Sequence, residues 1–98
     1  MAEIRWASDA EDDLVSIAGY IANDSEHYAT VFVMDVLEAV ERLAVFPQMG
    51  RVVPEFDDPS IRELLLGNYR VVYRYQDDLV ELITLYHGAR LLPIEAIQ

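Results

Sequence analysis

The sequence predicts an α+β fold in which a two-helix antiparallel hairpin packs on one face of a small, mainly antiparallel β-sheet. Apolar residues recur at helical spacing in two stretches of the first half, and at strand spacing in three runs of the second. Short turn signals separate the three runs, which gives the order β-α-α-β-β-β. The 98 residues fit one domain spanning 1–98, and a hydrophobic fraction of 53% is ample for a core.

Glu3–Ala7 alternates and reads as a first strand. Ser8-Asp9-Ala10-Glu11 has the spacing of a capping box, with Asp9, Asp12 and Asp13 placed where the helix dipole favours negative charge. Leu14, Ile17, Ala18 and Ile21 then fall on one helical face. Asn23-Asp24-Ser25 breaks this helix and can cap the next. The second helix is expected from about Glu26 to Phe46, with Ala29, Phe32, Val33, Val36, Val40, Leu43 and Ala44 as its buried stripe. Pro47 stops it because proline cannot donate to the helix ladder.

Pro47–Pro59 reads as an irregular connection with three prolines and one glycine. Strands follow at Ser60–Leu66, Tyr69–Gln76 and Leu79–His87. Gly67-Asn68 and Asp77-Asp78 serve as their hairpin turns. With an even loop at Asp77-Asp78, Arg74 lies opposite Glu81, Val72 opposite Ile83 and Arg70 opposite Leu85. Arg70, Arg74, Glu81 and His87 then share one face. Tyr69, Val71, Tyr73, Tyr75, Val80, Leu82 and Tyr86 share the face toward the helices. A one-residue bulge would invert the assignments on the last strand.

Composition narrows the function. Seven arginines, no lysine and 18 acids give a net charge of −11. Residues 1–50 carry two Arg and ten acids (−8), and residues 51–98 carry five Arg and eight acids (−3). Such a chain is repelled by nucleic acid and anionic membranes unless its arginines are concentrated. One reading is a uniformly acidic soluble surface. The sharper one is an acidic helical face with guanidinium groups gathered at one end of the strand meander. No cysteine is present, so thiolate chemistry is excluded. His27 and His87 stand on different elements, no metal motif appears, and no phosphate-binding glycine loop is found, so no metal or cofactor is expected. No run approaches a membrane span, and the N-terminus lacks the pattern of a signal peptide, so a cytoplasmic protein is expected.

Each candidate side chain has two readings. Arg74 opposite Glu81 is a surface ion pair or a site cation. Arg51, in the PQMGR phrase, is solvated or functional. Arg62 binds an anion or pairs with Glu63 or Asp58. His87, beside Tyr86, exchanges protons or is structural. Arg90 reaches back over the sheet end or faces water.

The phrases IRWASDAEDDL, ERLAVFPQMGR, IRELLLGNYRVVYRY and ELITLYHGAR, in this order, resemble the RelE/ParE superfamily, the small toxins of type II toxin–antitoxin modules. The resemblance covers nearly the whole chain and implies the same helical hairpin on a small sheet. It implies a cognate antitoxin, with a free toxin that homodimerises or a toxin–antitoxin hetero-oligomer. RelE-like members cut mRNA in the ribosome without metal, through attack of the 2′-hydroxyl. ParE-like members inhibit DNA gyrase and are not nucleases. For a nuclease, the resemblance assigns Arg70 to the scissile phosphate and Arg90 to the far end of the site. It likens His87 to a proton-transfer histidine, with Arg62 on the preceding strand. For target or antitoxin contact the candidates are Arg51, Arg62, Arg74 and Tyr86. Gly88 stands where the nuclease pattern continues with tyrosine, and the lysines of that pattern are absent. The FPQMGR phrase looks like the ParE and plasmid-stabilisation branch, so gyrase inhibition is the expected activity. The alternatives are a ribosome-dependent endoribonuclease and a degenerate, non-toxic acidic interaction module.

Overall fold

The computed structural model describes residues 1–88. The elements are β1 (Glu3–Trp6), α1 (Ser8–Ala22), α2 (Glu26–Val45), β2 (Arg51–Val52), β3 (Ile61–Leu66), β4 (Tyr69–Gln76) and β5 (Leu79–His87). They form a five-stranded sheet in the order β1-β5-β4-β3-β2, with both helices on one face. All pairings are antiparallel except β1 with β5, which run parallel from Glu3↔Leu79 to Trp6↔Leu82.

The helix boundaries follow from local chemistry, with one correction. The Ser25 side chain accepts from the Tyr28 amide at 3.2 Å and starts α2. Pro47 ends it two residues after Val45. The expected Ser8–Glu11 capping box does not form. Ala7 is the N-cap, without a side-chain cap bond, and Ser8 is already helical. The reason lies in the sheet: the Ala7 amide donates to the Leu82 carbonyl at 2.9 Å, so Ala7 still belongs to the edge of β1. Its own carbonyl accepts from Ala10 and Glu11, and the helix begins one residue early.

The turns between the last strands suit their residues. Asp77 and Asp78 both have positive φ, 55° and 60°, a conformation that short polar side chains tolerate and a two-residue hairpin with both central φ positive requires. Gly67 has φ 58°.

The main core joins Ala10, Val36, Val40 and Leu43 of the helices to Val71, Tyr73, Val80, Leu82 and Leu85 of the sheet. A smaller cluster lies on the opposite face, where Val53 and Phe56 of the 53–60 connection cover Ile61, Val72 and Tyr86. The connection read as irregular therefore contains a short strand, β2, and folds over the far side of the sheet.

The register of β4 on β5 holds only at the turn end. Arg74↔Glu81 and Tyr73↔Leu82 pair as expected. Then β5 carries a one-residue bulge, and the pairing becomes Val72↔Thr84, Arg70↔Tyr86 and Tyr69↔His87. Ile83 is the extra residue. Beyond it the side chains trade faces. Tyr86 joins the far-side cluster, and His87 moves to the helix side against Tyr69. Both assignments correct the expectation from an unbroken ladder. Asp13 of α1 stabilises the irregular stretch: its carboxylate accepts from the Thr84 hydroxyl at 2.6 Å and from the Leu85 amide at 3.1 Å.

Candidate functional site

On the far side of the sheet, four charged residues from β2, β3, β4 and the connection meet. Glu63 lies on β3 between Ile61 and Leu65, and alternation turns it to the same side as Ile61. Its side chain is fully buried. One carboxylate oxygen accepts from Nε of Arg70 and the other from Nε of Arg51. Arg70, itself only 5% exposed, turns the rest of its guanidinium to Glu55, donating from both terminal nitrogens to the two carboxylate oxygens at 2.8 Å each. Among the described residues, two arginines and two glutamates thus form a clamp whose charges balance. Paired geometry of this kind matches the planar guanidinium fork to the carboxylate plane.

The electrostatics follow. The bonds from Glu55 are the first cause that holds the Arg70 guanidinium protonated above its ordinary range; burial opposes them, and Glu63 adds to them. Arg70 is therefore a fixed cation whose field is cancelled by adjacent carboxylates. Glu63 and Glu55 were the residues that sequence reasoning missed. The sequence offers Glu63 as a partner for Arg62, not for Arg70. A usable signal existed for Glu63, an acid at an inward position of an otherwise apolar strand. Glu55 lies in a connection whose path no local pattern reveals.

Arg62 points to the other side of the sheet, opposite Tyr73. It donates to the carbonyls of Pro59 at 3.1 Å, Gln48 at 3.3 Å and Gly50 at 2.9 Å, so it staples the connection to its own start. The Tyr73 hydroxyl completes this anchor by donating to the Pro47 carbonyl at 2.8 Å and accepting from the Gly50 amide at 3.0 Å. A Cβ at position 50 would sit 2.6 Å from that hydroxyl, so the close approach requires glycine. Burial is the main reason the Tyr73 phenol is pushed above its ordinary value. Asp58 accepts from the amide and hydroxyl of Ser60, with the amide first in lowering its pKa.

The other candidates are dispersed. Arg74 lies opposite Glu81, but Glu81 pairs with Arg5 across the β1–β5 ladder at 3.4 Å. His87 meets Tyr69 edge-on, with ring centroids 5.4 Å apart. A hollow of 280 Å³ brings His87 together with Arg51 and Arg70 at the end of the sheet. Tyr86 packs in the far-side cluster. Arg90 lies outside the described residues. The expected gathering of arginines is thus split: Arg51 and Arg70 meet through Glu63, while Arg62 serves the opposite face. Among the described residues, no group of three or more His, Asp or Glu side chains is arranged to hold a metal ion, and no helix is long and apolar enough to cross a membrane.

A family model for the ParE toxin of the type II toxin–antitoxin system parDE matches residues 4–92. The chain belongs to the ParE toxin family. Toxin RelE2 of Caulobacter vibrioides is 32% identical over 92 residues, covering 93% of this chain and all of that protein. A chain of the chromosomal ParDE toxin–antitoxin system from P. aeruginosa superposes with a TM-score of 0.71 at 22% identity, over 89% of this chain and 96% of the other. That likeness shows the shared fold, a helical hairpin on a mainly antiparallel sheet. This ParE-family chain is a toxin of a type II toxin–antitoxin system within the RelE/ParE superfamily, and membership implies a cognate antitoxin as its partner.

Proposed function

We propose that this toxin arrests growth in the cytoplasm by binding and inhibiting DNA gyrase, without cutting RNA. The observation that carries the reading is the clamp. Stabilising the charged transition state of phosphodiester cleavage needs a cation aimed at the scissile phosphate. Arg70, the residue that the superfamily resemblance would place there, is buried against two carboxylates. A phosphate that engaged Arg70 would have to displace one of these carboxylates from the guanidinium. An arginine held protonated is also no general base. The net charge of −11 adds a long-range term against a ribosomal site.

The test is a supercoiling and cleavage assay with purified gyrase and toxin. Inhibition at micromolar toxin is expected, and its absence counts against the proposal. The second reading, a ribosome-dependent endoribonuclease, draws on the hollow that joins His87 to Arg51 and Arg70. Primer extension on mRNA from expressing cells separates the two. New cuts within translated frames would establish the nuclease and remove the gyrase reading.

A further inference from the structure

Connections between elements run over the surface, and their tips are ordinarily polar and mobile. The turn from α2 into β2 departs from both habits. Its side chains are apolar and open to solvent: Val45, Phe46 and Met49 are 53%, 62% and 41% exposed. Its backbone, in contrast, is pinned from within. The Tyr73 hydroxyl donates to the Pro47 carbonyl and accepts from the Gly50 amide, and Arg62 donates to the carbonyls of Gln48 and Gly50. The Met49 amide closes a turn on the Phe46 carbonyl at 3.1 Å. Phe46, Met49 and Tyr75 line an open hollow of 520 Å³ at this tip. Among the described residues no charged side chain lines it, whereas acids line the hollows along α2 and arginines the one at the sheet end.

We infer that this tip is the anchor by which the toxin grips gyrase, and that it enters an apolar, uncharged recess of the enzyme's protein surface. The inference rests on the reading of this chain as a gyrase inhibitor. Phe46 and Met49 stand on a backbone that the fold has already fixed, so little ordering is left to oppose association. Under that condition a few apolar side chains can hold a partner. Charge selects the same face. Gyrase works on DNA, and a body of −11 is repelled by that polyanion. Contact is favoured through the face that brings no carboxylate forward, and complementarity then asks for an uncharged, apolar partner surface. A second copy of the toxin is a poorer occupant, because it would set two bodies of −11 side by side for the sake of a few side chains.

The test is inhibition of supercoiling by purified gyrase, titrated with the whole toxin and its variants. Phe46→Asp should raise the toxin concentration for half-inhibition by at least about 30-fold, the size expected of an aromatic anchor, and Met49→Asp by about 10-fold. Phe46→Leu, which keeps the tip apolar, should lose less than Phe46→Asp. Val15→Asp makes the same kind of change at an exposed apolar site on α1 and should stay within about 2-fold of the parent. Circular dichroism confirms that these exposed-site variants are folded. A parent toxin that inhibits gyrase while Phe46→Asp and Met49→Asp inhibit equally well would overturn the inference and leave the gyrase reading standing. So would an equal loss in Val15→Asp. A parent toxin without effect on gyrase would remove both. The inference also fails if the parent sediments as a dimer that Phe46→Asp dissociates, or if Phe46→Asp no longer binds the cognate antitoxin, since the tip would then belong to one of those contacts.

Discussion

On the helix side of the sheet, Val71, Tyr73, Leu82 and Leu85 are covered by Ala10, Val36, Val40 and Leu43. On the other side, among the described residues, Val53 and Phe56 cover Ile61, Val72 and Tyr86, and the adjoining part is closed by the clamp of Arg51, Glu63, Arg70 and Glu55. The first covering is non-directional: each apolar contact contributes roughly in proportion to the area it removes from water, about 25 cal/mol per Å². The second is conditional. Its charges are tolerable in the interior only while all are present, since each neutralises and hydrogen-bonds the next. Every buried side-chain polar atom among the described residues has a hydrogen-bond partner. The lesson is that a cation in the interior of an acidic toxin is a component of the fold before it is a component of any site.

The comparison breaks most sharply at Glu63. Glu63→Ala leaves two arginines without their shared carboxylate, one of them in the interior, and should destabilise the protein by about 3–5 kcal/mol in urea denaturation. Replacing Arg70 and both its carboxylate partners together, as Glu55→Leu, Glu63→Leu and Arg70→Met, should be neutral or stabilising by about 1–4 kcal/mol if the clamp works as described. A triple variant as unstable as the single one would mean that this side is held by shape and not by charge pairing.

A smaller effect is expected at Tyr73, where the apolar core meets the loop. Tyr73→Phe removes the bond to Pro47 and leaves the Gly50 amide without its acceptor, a loss of about 1–3 kcal/mol. Burial raises the phenol's pKa, so the folded protein keeps its proton to higher pH than the unfolded chain does. That stabilisation is whole below about pH 10 and is lost as pH rises through the raised value. Alkaline melts of the parent protein should show this slope, and those of Tyr73→Phe should lack it. Arg70 does not add to the slope near neutral pH, because its raised value only extends a charge already present in the unfolded chain.

The smallest change belongs to the surface. Arg5→Ala removes the pair with Glu81, whose partners are 60% and 31% exposed, and should shift stability by less than about 0.5 kcal/mol. A larger loss would show that the parallel edge strand depends on charge pairing and not on its backbone ladder to β5.

Much of this architecture could be read from neighbours in sequence. Ser25 and Pro47 bound α2 because a cap and a missing donor act within one turn. Asp77-Asp78 marks the last hairpin because its φ angles are set by the residues themselves. The stripe from Ala29 to Leu43 shows itself because helical periodicity repeats every few residues. The capping box expected at Ser8 does not form because a bond to Leu82, far along the chain, competes for Ala7. The strand at Arg51–Val52 is too short to show a period. The site was less legible still. Arg70 stood out from its phrase, but its partners lie 7 and 15 residues away on other elements.

Sequence alone determined the order of every element except β2, the helical hairpin, the acidic balance and the family likeness, since each is written in spacing or composition along the chain. Tertiary structure decided which way the side chains face. A single extra residue in β5, stabilised by Asp13 of α1, exchanges Tyr86 and His87 between the two sides of the sheet. Likewise, only the fold of the 53–60 connection over β3 and β4 brings Glu55 to Arg70. Both outcomes depend on bonds between residues distant in sequence, whose free energy exists only after the chain has closed on itself.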